Sequence, residues 1–320
     1  MKGFLSAVRG IAAAFALFWG IIGLIVYPGF YRNIDKVCGI PGLEDGFVPQ
    51  GITHFEDEDL YCLCGYMDED DVNSRIYIVS PQGEEKMIML SKEDGSVYSG
   101  HAGGITNSGR FVYISNASKL FVLEKQALID AKDGDTVSFA GRIPVPCNAS
   151  FCSCDGQRVY VGEYHAEGYD TPEDHALTTG DGSQYAAMVF GYRLDESAEY
   201  GLDAGAPDIA FAVRDEVQGF AVSDDGRAFL SCSAGQRSSH LGIYDYSDMK
   251  PDGVFAAGEA EVPVYYLDSA REIDDMRMPH MSEDIEYEGG RILMTFEAGA
   301  KKFGLGLIPF SVTDAVLLGV

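Results

Sequence analysis

The sequence predicts an all-β fold, a five-bladed β-propeller of four-stranded antiparallel blades over residues 48–320, and three observations predict it. A short hairpin recurs: Ser108-Gly109-Arg110 before residues 111–114, Asp155-Gly156-Gln157-Arg158 before 159–161, Asp225-Gly226-Arg227 before 228–230, Gly289-Gly290-Arg291 before 292–294, and a worn copy, Asp57-Glu58-Asp59, before 60–63. Each couples a turn that needs Gly or Asp backbone freedom to an apolar run too short for a helix. Recurrence at roughly 50 to 70 residues is the mark of a propeller or solenoid. The strands are apolar at consecutive positions, as strands covered on both faces are, where a sandwich would alternate. Finally, 320 residues with 38 glycines suffice for one large domain dense in turns.

Taken in order, the chain begins with Lys2 and Arg9, after which Gly10 to Phe30 carries no charge. At about 1.5 Å per residue such a helix is about 31 Å long, enough for a bilayer core. Residues 1–30 are therefore expected to be a cytoplasmic tip and an uncleaved transmembrane signal anchor. With basic residues before the run and acidic sequence after it, the N-terminus is placed in the cytoplasm and the propeller outside the cell. The rival is a cleaved signal peptide of a secreted protein, but residues 24–29 lack a small-x-small cleavage site. Cys38 follows no lipid-attachment box. Residues 31–47 read as a stalk, too short for a repeat.

First strands open at Gln50-Gly51-Ile52, Gly103-Gly104-Ile105, Ala149-Ser150-Phe151, Gln218-Gly219-Phe220 and Glu283-Asp284-Ile285. Second strands follow the hairpins. Third strands are expected at 75–79, 120–123, 188–193, 241–246 and 305–310, and fourth strands at 86–90, 136–143, 208–213, 262–267 and 315–320. The sequence does not say how the ring closes.

In a propeller the chain enters strand 1 at the same end as the loop between strands 2 and 3, so binding groups are sought on that face. Blade three inserts Ala166 to Tyr185 there, a length typical of a lid or binding loop. Blades three and four also lengthen loops at the other end, residues 196–207 and 248–261. The face collects Gln50, Tyr66, His101, Asn116, Asn148, Glu163, His165, His175, Gln218, Arg237, His240, Glu283 and Glu297. Glu163, Glu283 and Glu297 fall at corresponding rims of blades three and five. Three converging carboxylates would bind calcium or act as acid and base in glycoside hydrolysis, with His101 or His165 assisting. The plainer reading is that they hydrogen-bond water and backbone near the axis. Gln50 and Gln218 share a register, which suits an inter-blade role as well as ligand contact.

Asp68-Glu69-Asp70-Asp71 fails the calcium-loop pattern, since Val72 takes the fifth position and no glycine follows. It reads as a solvated turn. No phosphate loop, His-Glu-x-x-His helix or Gly-x-Ser-x-Gly elbow is present. The pairs Cys62/Cys64 and Cys152/Cys154 lie two apart on strands and, with Cys38, Cys147 and Cys232, make an odd count that favours reduced, buried thiols over disulfides. A net charge of −27 repels phosphate backbones, so nucleic acid is not expected as a partner.

The phrases Val48-Pro49-Gln50-Gly51-Ile52, Val217-Gln218-Gly219 and Phe296-Glu297-Ala298-Gly299 resemble those of uncharacterised secreted bacterial propeller proteins, over most of residues 48–310. In architecture the chain more distantly resembles the gluconolactonase and strictosidine-synthase-like group, which has six blades and a central metal on carboxylate and Asn ligands. At the matching openings only Glu283, with Asn148 one residue off, has such a side chain. Trp19, the single tryptophan, lies in the N-terminal run, which removes a WD-repeat signature.

Two functions follow as expectations. One is a membrane-tethered extracellular propeller binding a small molecule, glycan or protein through Gln50, Tyr66, Asn148, His165, His175, Gln218 and Arg237. The other is an extracellular glycan or lactone hydrolase using Glu163, Glu283, Glu297 and His101, with or without calcium. A calcium-stabilised scaffold is a third.

Overall fold

Five antiparallel sheets stand around a common axis in the computed structural model, which describes residues 22–258, 260–304 and 308–320. Blade one is built from Phe47–Phe55, Leu60–Met67, Arg75–Val79 and Glu85–Ser91, and blade two from Gly104–Asn107, Phe111–Asn116, Lys119–Glu124 and Gly141–Pro144. Blade three has Ala149–Cys154, Arg158–Glu163, Ala187–Arg193 and Ile209–Val213, and blade four Val217–Val222, Arg227–Cys232, Ser239–Asp245 and Glu272–Met278. Blade five runs Ser282–Glu288, Arg291–Phe296 and Asp314–Gly319, and its outermost strand is Ile34–Gly39. First strands of successive blades touch around the ring, including blade five against blade one.

The expected consecutive apolar runs have a direct cause in this packing. Along Arg227–Cys232, Ala228 and Leu230 point into the cluster shared with blade three, while Phe229 between them points into the cluster shared with blade five. Each of the five blade junctions has such a cluster. All seven cysteines are free thiols, five of them buried in these junctions.

Several expectations need correction. Residues 31–47 are not a stalk, because Ile34–Gly39 pairs antiparallel with Asp314–Gly319 and closes the ring. An outermost strand is wetted on one side, so Asp35 and Lys36 are exposed and no apolar run announces it. Consequently residues 315–320 lie in the third strand of blade five, not the fourth. Of the third strand expected at 305–310, residues 305–307 lie outside the described residues and 308–310 form turns. The fourth strand expected at 136–143 splits, Thr136–Ser138 adding in parallel to blade one and Gly141–Pro144 joining blade two. Residues 262–267 were expected to complete blade four, but Ala260–Tyr266 adds in parallel to Ile209–Val213 of blade three, carrying Gly253–Ala257 on its far side. Blade four instead ends on the charged strand Glu272–Met278.

The expected membrane run, Gly10 to Phe30, lies largely outside the described residues. Among the described residues no helix is long and apolar enough to cross a membrane. The end of the run belongs to the domain: Phe30 is fully buried with its ring 5.6 Å from that of Phe296, and the Tyr27 hydroxyl lies 3.1 Å from Ser238 Oγ.

At the axis the first strands approach backbone to backbone. A Cβ on Gly51 would lie 2.6 Å from Ile105 N and one on Gly103 2.2 Å from Ser150 O, so neither position admits a side chain. Four first strands carry a bulge at the upper end, between Pro49 and Gly51, Ala149 and Phe151, Val217 and Gly219, and Ser282 and Ile285. A bulge re-aims the extra residue out of the ladder. Here those residues are Gln50, Ser150, Gln218 and, in blade five, Glu283 and Asp284.

Candidate functional site

The channel is plugged near its middle by blade five. Asp284 reaches across to blade two, where Ile105 N–H donates to its Oδ2 at 3.1 Å, while Glu286 accepts from Thr53 Oγ1 at 2.8 Å and from Thr106 Oγ1. Burial pushes the Asp284 carboxyl well above the usual range, and pushes Glu286 up to about 8. The plug leaves two separate mouths.

The upper mouth is a cavity of about 580 Å³. Gln50, Ser150 and Gln218 from the bulges line it, with Tyr66 and Asn116 from the upper ends of second strands and His101 and Asn148 from the loops that enter blades two and three. Glu297, just past the second strand of blade five, forms part of the floor. Its Oε2 accepts from Gln50 Nε2 at 3.1 Å, and its carboxyl lies beside that of Glu283, raising the cost of ionising it. Two carboxyls in contact must hold a proton between them. Burial raises the Glu297 pKa to about 7, with the Gln50 hydrogen bond and the Lys302 charge pulling the other way. Glu283 is pushed well above the usual range by burial, then by the charges of Glu297 and Asp284. No N–H or O–H donor among the described residues reaches Glu283 Oε1.

Aromatic rings form the walls. Tyr66 stacks on His101 with centroids 4.7 Å apart, and Tyr164 meets Tyr169 edge-on at 5.4 Å. Lys302 Nζ donates to the Tyr66 hydroxyl at 2.7 Å and lies 4.7 Å from its ring centre. Desolvation, then the Lys302 charge, lowers the His101 pKa to about 4, so the imidazole is neutral at physiological pH.

Of the residues expected here, Gln50, Tyr66, His101, Asn148, Gln218 and Glu297 line the mouth, and Glu283 lies against Glu297. Glu163 does not join them. It is fully buried, accepting from Met188 N at 3.1 Å and Asn148 N at 3.2 Å, and it is ion-paired with the buried His175. His175 packs between Phe190 and Phe255, so both residues fasten the 166–185 loop to blade three. His165 pairs with Asp215 at 2.8 Å and His240 with Asp275 at 2.8 Å, on the surface. Arg237 pairs with Glu216 and stays largely exposed. Lys302, Phe303 and Tyr164 belong to the site without having been singled out. Lys302 follows the second strand of blade five, where the loop rule already placed binding groups.

No family model matches the chain, and no curated protein matches it in sequence. Among solved structures, Myxococcus xanthus glutaminyl cyclase is similar at 11% identity over 90% of this chain and 97% of its own, with a TM-score of 0.44. The PQQ-bound aldose sugar dehydrogenase of Streptomyces coelicolor is similar at 14% identity over 89% and 96%, TM-score 0.43, and the WD40 propeller domain of Doa1 at 10% over 82% and 79%, TM-score 0.38. These are likenesses of the β-propeller and related folds. The molecule described here is a β-propeller with a polar, aromatic-walled cavity over an acid pair.

Proposed function

We propose that this chain is a membrane-tethered extracellular propeller whose upper mouth binds a small polar ligand. The observation that carries the reading is Glu297, beside the buried Glu283 at the base of a cavity walled by tyrosines. Pockets of this kind, concave and with a few converging polar groups, are where small ligands sit. Tethering rests on the uncharged stretch before Tyr27, and Tyr27 itself lies against Ser238, on the face that carries this mouth. The acidic net charge favours a partner other than nucleic acid.

Hydrolysis of a glycan is supported less well. Glycosidase carboxyls stand about 5–5.5 Å or 6.5–9.5 Å apart, leaving room for the sugar carbon or a water, whereas Glu283 and Glu297 are in contact and Glu163 is engaged elsewhere. A resident calcium fits poorly too, since it takes six to eight oxygens. Here burial holds both carboxyls toward their neutral forms, and Gln50 turns its amide nitrogen toward Glu297. Chelation should therefore leave the melting temperature unchanged.

Ligand-observed NMR of the full chain against a library of polar metabolites tests the binding reading. Hits should disappear in Tyr66→Ala and Gln218→Ala, both confirmed folded by circular dichroism. A library whose hits all survive these substitutions would overturn it.

A further inference from the structure

We propose that the upper mouth recognises a protonated primary amine, seated over the Glu283–Glu297 carboxyl pair between the rings of Tyr66 and Tyr164. The inference rests on the reading of this mouth as a ligand site and names the chemistry it selects.

Two carboxyl groups held in contact in a dry floor need one positive charge or one proton between them. Gln50 supplies a single neutral hydrogen bond, and Glu283 Oε1 receives no N–H or O–H donor from the described residues. An ammonium brings three donors and a full charge, so it can pair with the Glu297 carboxylate, whose proton leaves for solvent, and still offer a donor toward Glu283, which keeps its own proton. A hydroxyl brings one donor and leaves the two acids to repel each other once ionised.

The walls agree with the floor. Tyr66 and Tyr164 line the same cavity as the Glu297 carboxyl, and aromatic rings around a carboxylate are a cation's environment. One ammonium is already held at this rim, since Lys302 Nζ donates to the Tyr66 hydroxyl at 2.7 Å within the field of Glu297, and among the described residues lining the cavity it is the one like charge that an incoming ammonium faces. His101, beside Tyr66, is neutral and adds no repulsion. The net charge of −27 draws cations toward the mouth.

The test is isothermal titration of the full chain with two matched pairs, glucosamine with glucose and benzylamine with benzyl alcohol. Each amine should bind at least about tenfold more tightly than its neutral twin. Near about pH 6 each binding event should release up to roughly one proton, read as a difference in heat between phosphate and MES buffers, neither of which is a primary amine. Affinity should rise by up to about tenfold per pH unit as the pH climbs toward the Glu297 pKa, then level off. Glu297→Gln should abolish the amine preference, and Glu58→Gln, at the opposite end of the propeller, should not.

Equal binding of amines and neutral twins, lost in both cases in Glu297→Gln, overturns the amine and leaves the ligand site standing. Amine binding that survives in Glu297→Gln, or no binding of any probe to the folded wild type, overturns both.

Discussion

Glu163 and Glu297 occupy equivalent places, each at the upper end of the second strand of its blade, Glu163 fully buried and Glu297 half-buried where it borders the cavity. Blade three surrounds its glutamate with two backbone N–H groups and an imidazole. Blade five gives its glutamate one carboxamide and a second acid. The difference comes from the loop that follows. In blade three the loop returns to bury His175 on the carboxylate, while in blade five it leaves Lys302 at the rim against Tyr66. A buried acid with its partners supplied by the fold is a fastening, and an acid whose partners are incomplete and which borders a cavity is a place for something else to bind.

The largest expected effect is at the fastening. Glu163→Ala leaves His175, Met188 N and Asn148 N unpartnered and should cost about 3–5 kcal/mol in urea unfolding. A loss under about 1 kcal/mol would erase the contrast with blade five.

The second effect is that of pH on the acid pair. The folded pKa of Glu297 is raised from 4.5 to about 7, so the folded chain keeps this proton after the unfolded chain has lost it. Its contribution to stability is full below about pH 4.5 and is lost as the pH rises through about 7, a decline of about 3 kcal/mol. Unfolding midpoints measured across this range should fall in the wild type, and Glu297→Gln should remove that part of the slope. A slope identical in the variant would mean the pair does not hold its proton.

Glu283→Gln replaces a neutral acid by a neutral amide and should stay within about 0.5 kcal/mol of the parent at about pH 5, becoming the more stable of the two as the pH rises. The smallest effect is expected at Tyr169, 64% exposed at the cavity wall. Tyr169→Ala should move the melting temperature hardly at all while weakening whatever ligand the mouth holds. A clear loss of stability would make this ring a packing residue instead.

The sequence carried the ring because inter-blade packing writes itself into composition. Consecutive apolar residues such as 228–230 face two neighbours in turn, and the openings Gln50-Gly51 and Gln218-Gly219 mark where backbones touch. It failed at the periphery. Outer strands such as Glu272–Met278 and Ile34–Gly39 are half wetted and look like loops, whereas the apolar strand Ala260–Tyr266 looked like blade four and lies on blade three. At the site, register placed Glu163, Glu283 and Glu297 alike at the upper rim. Register cannot say what a neighbouring loop will lay against each, so the role of His175 was not legible and Lys302 was passed over.

Ring closure has a consequence for how the chain comes to be folded. Ile34–Gly39 is made before the other strands of the propeller and its partner, Asp314–Gly319, after them. During synthesis the early segment therefore waits with its hydrogen-bonding edge unmet until the other strands of the ring are made, a long-range contact of the kind that folds slowly and invites mispairing. A released chain ended before residue 314 should keep its first four blades resistant to protease while the fifth, and the segment before Phe47, are cut.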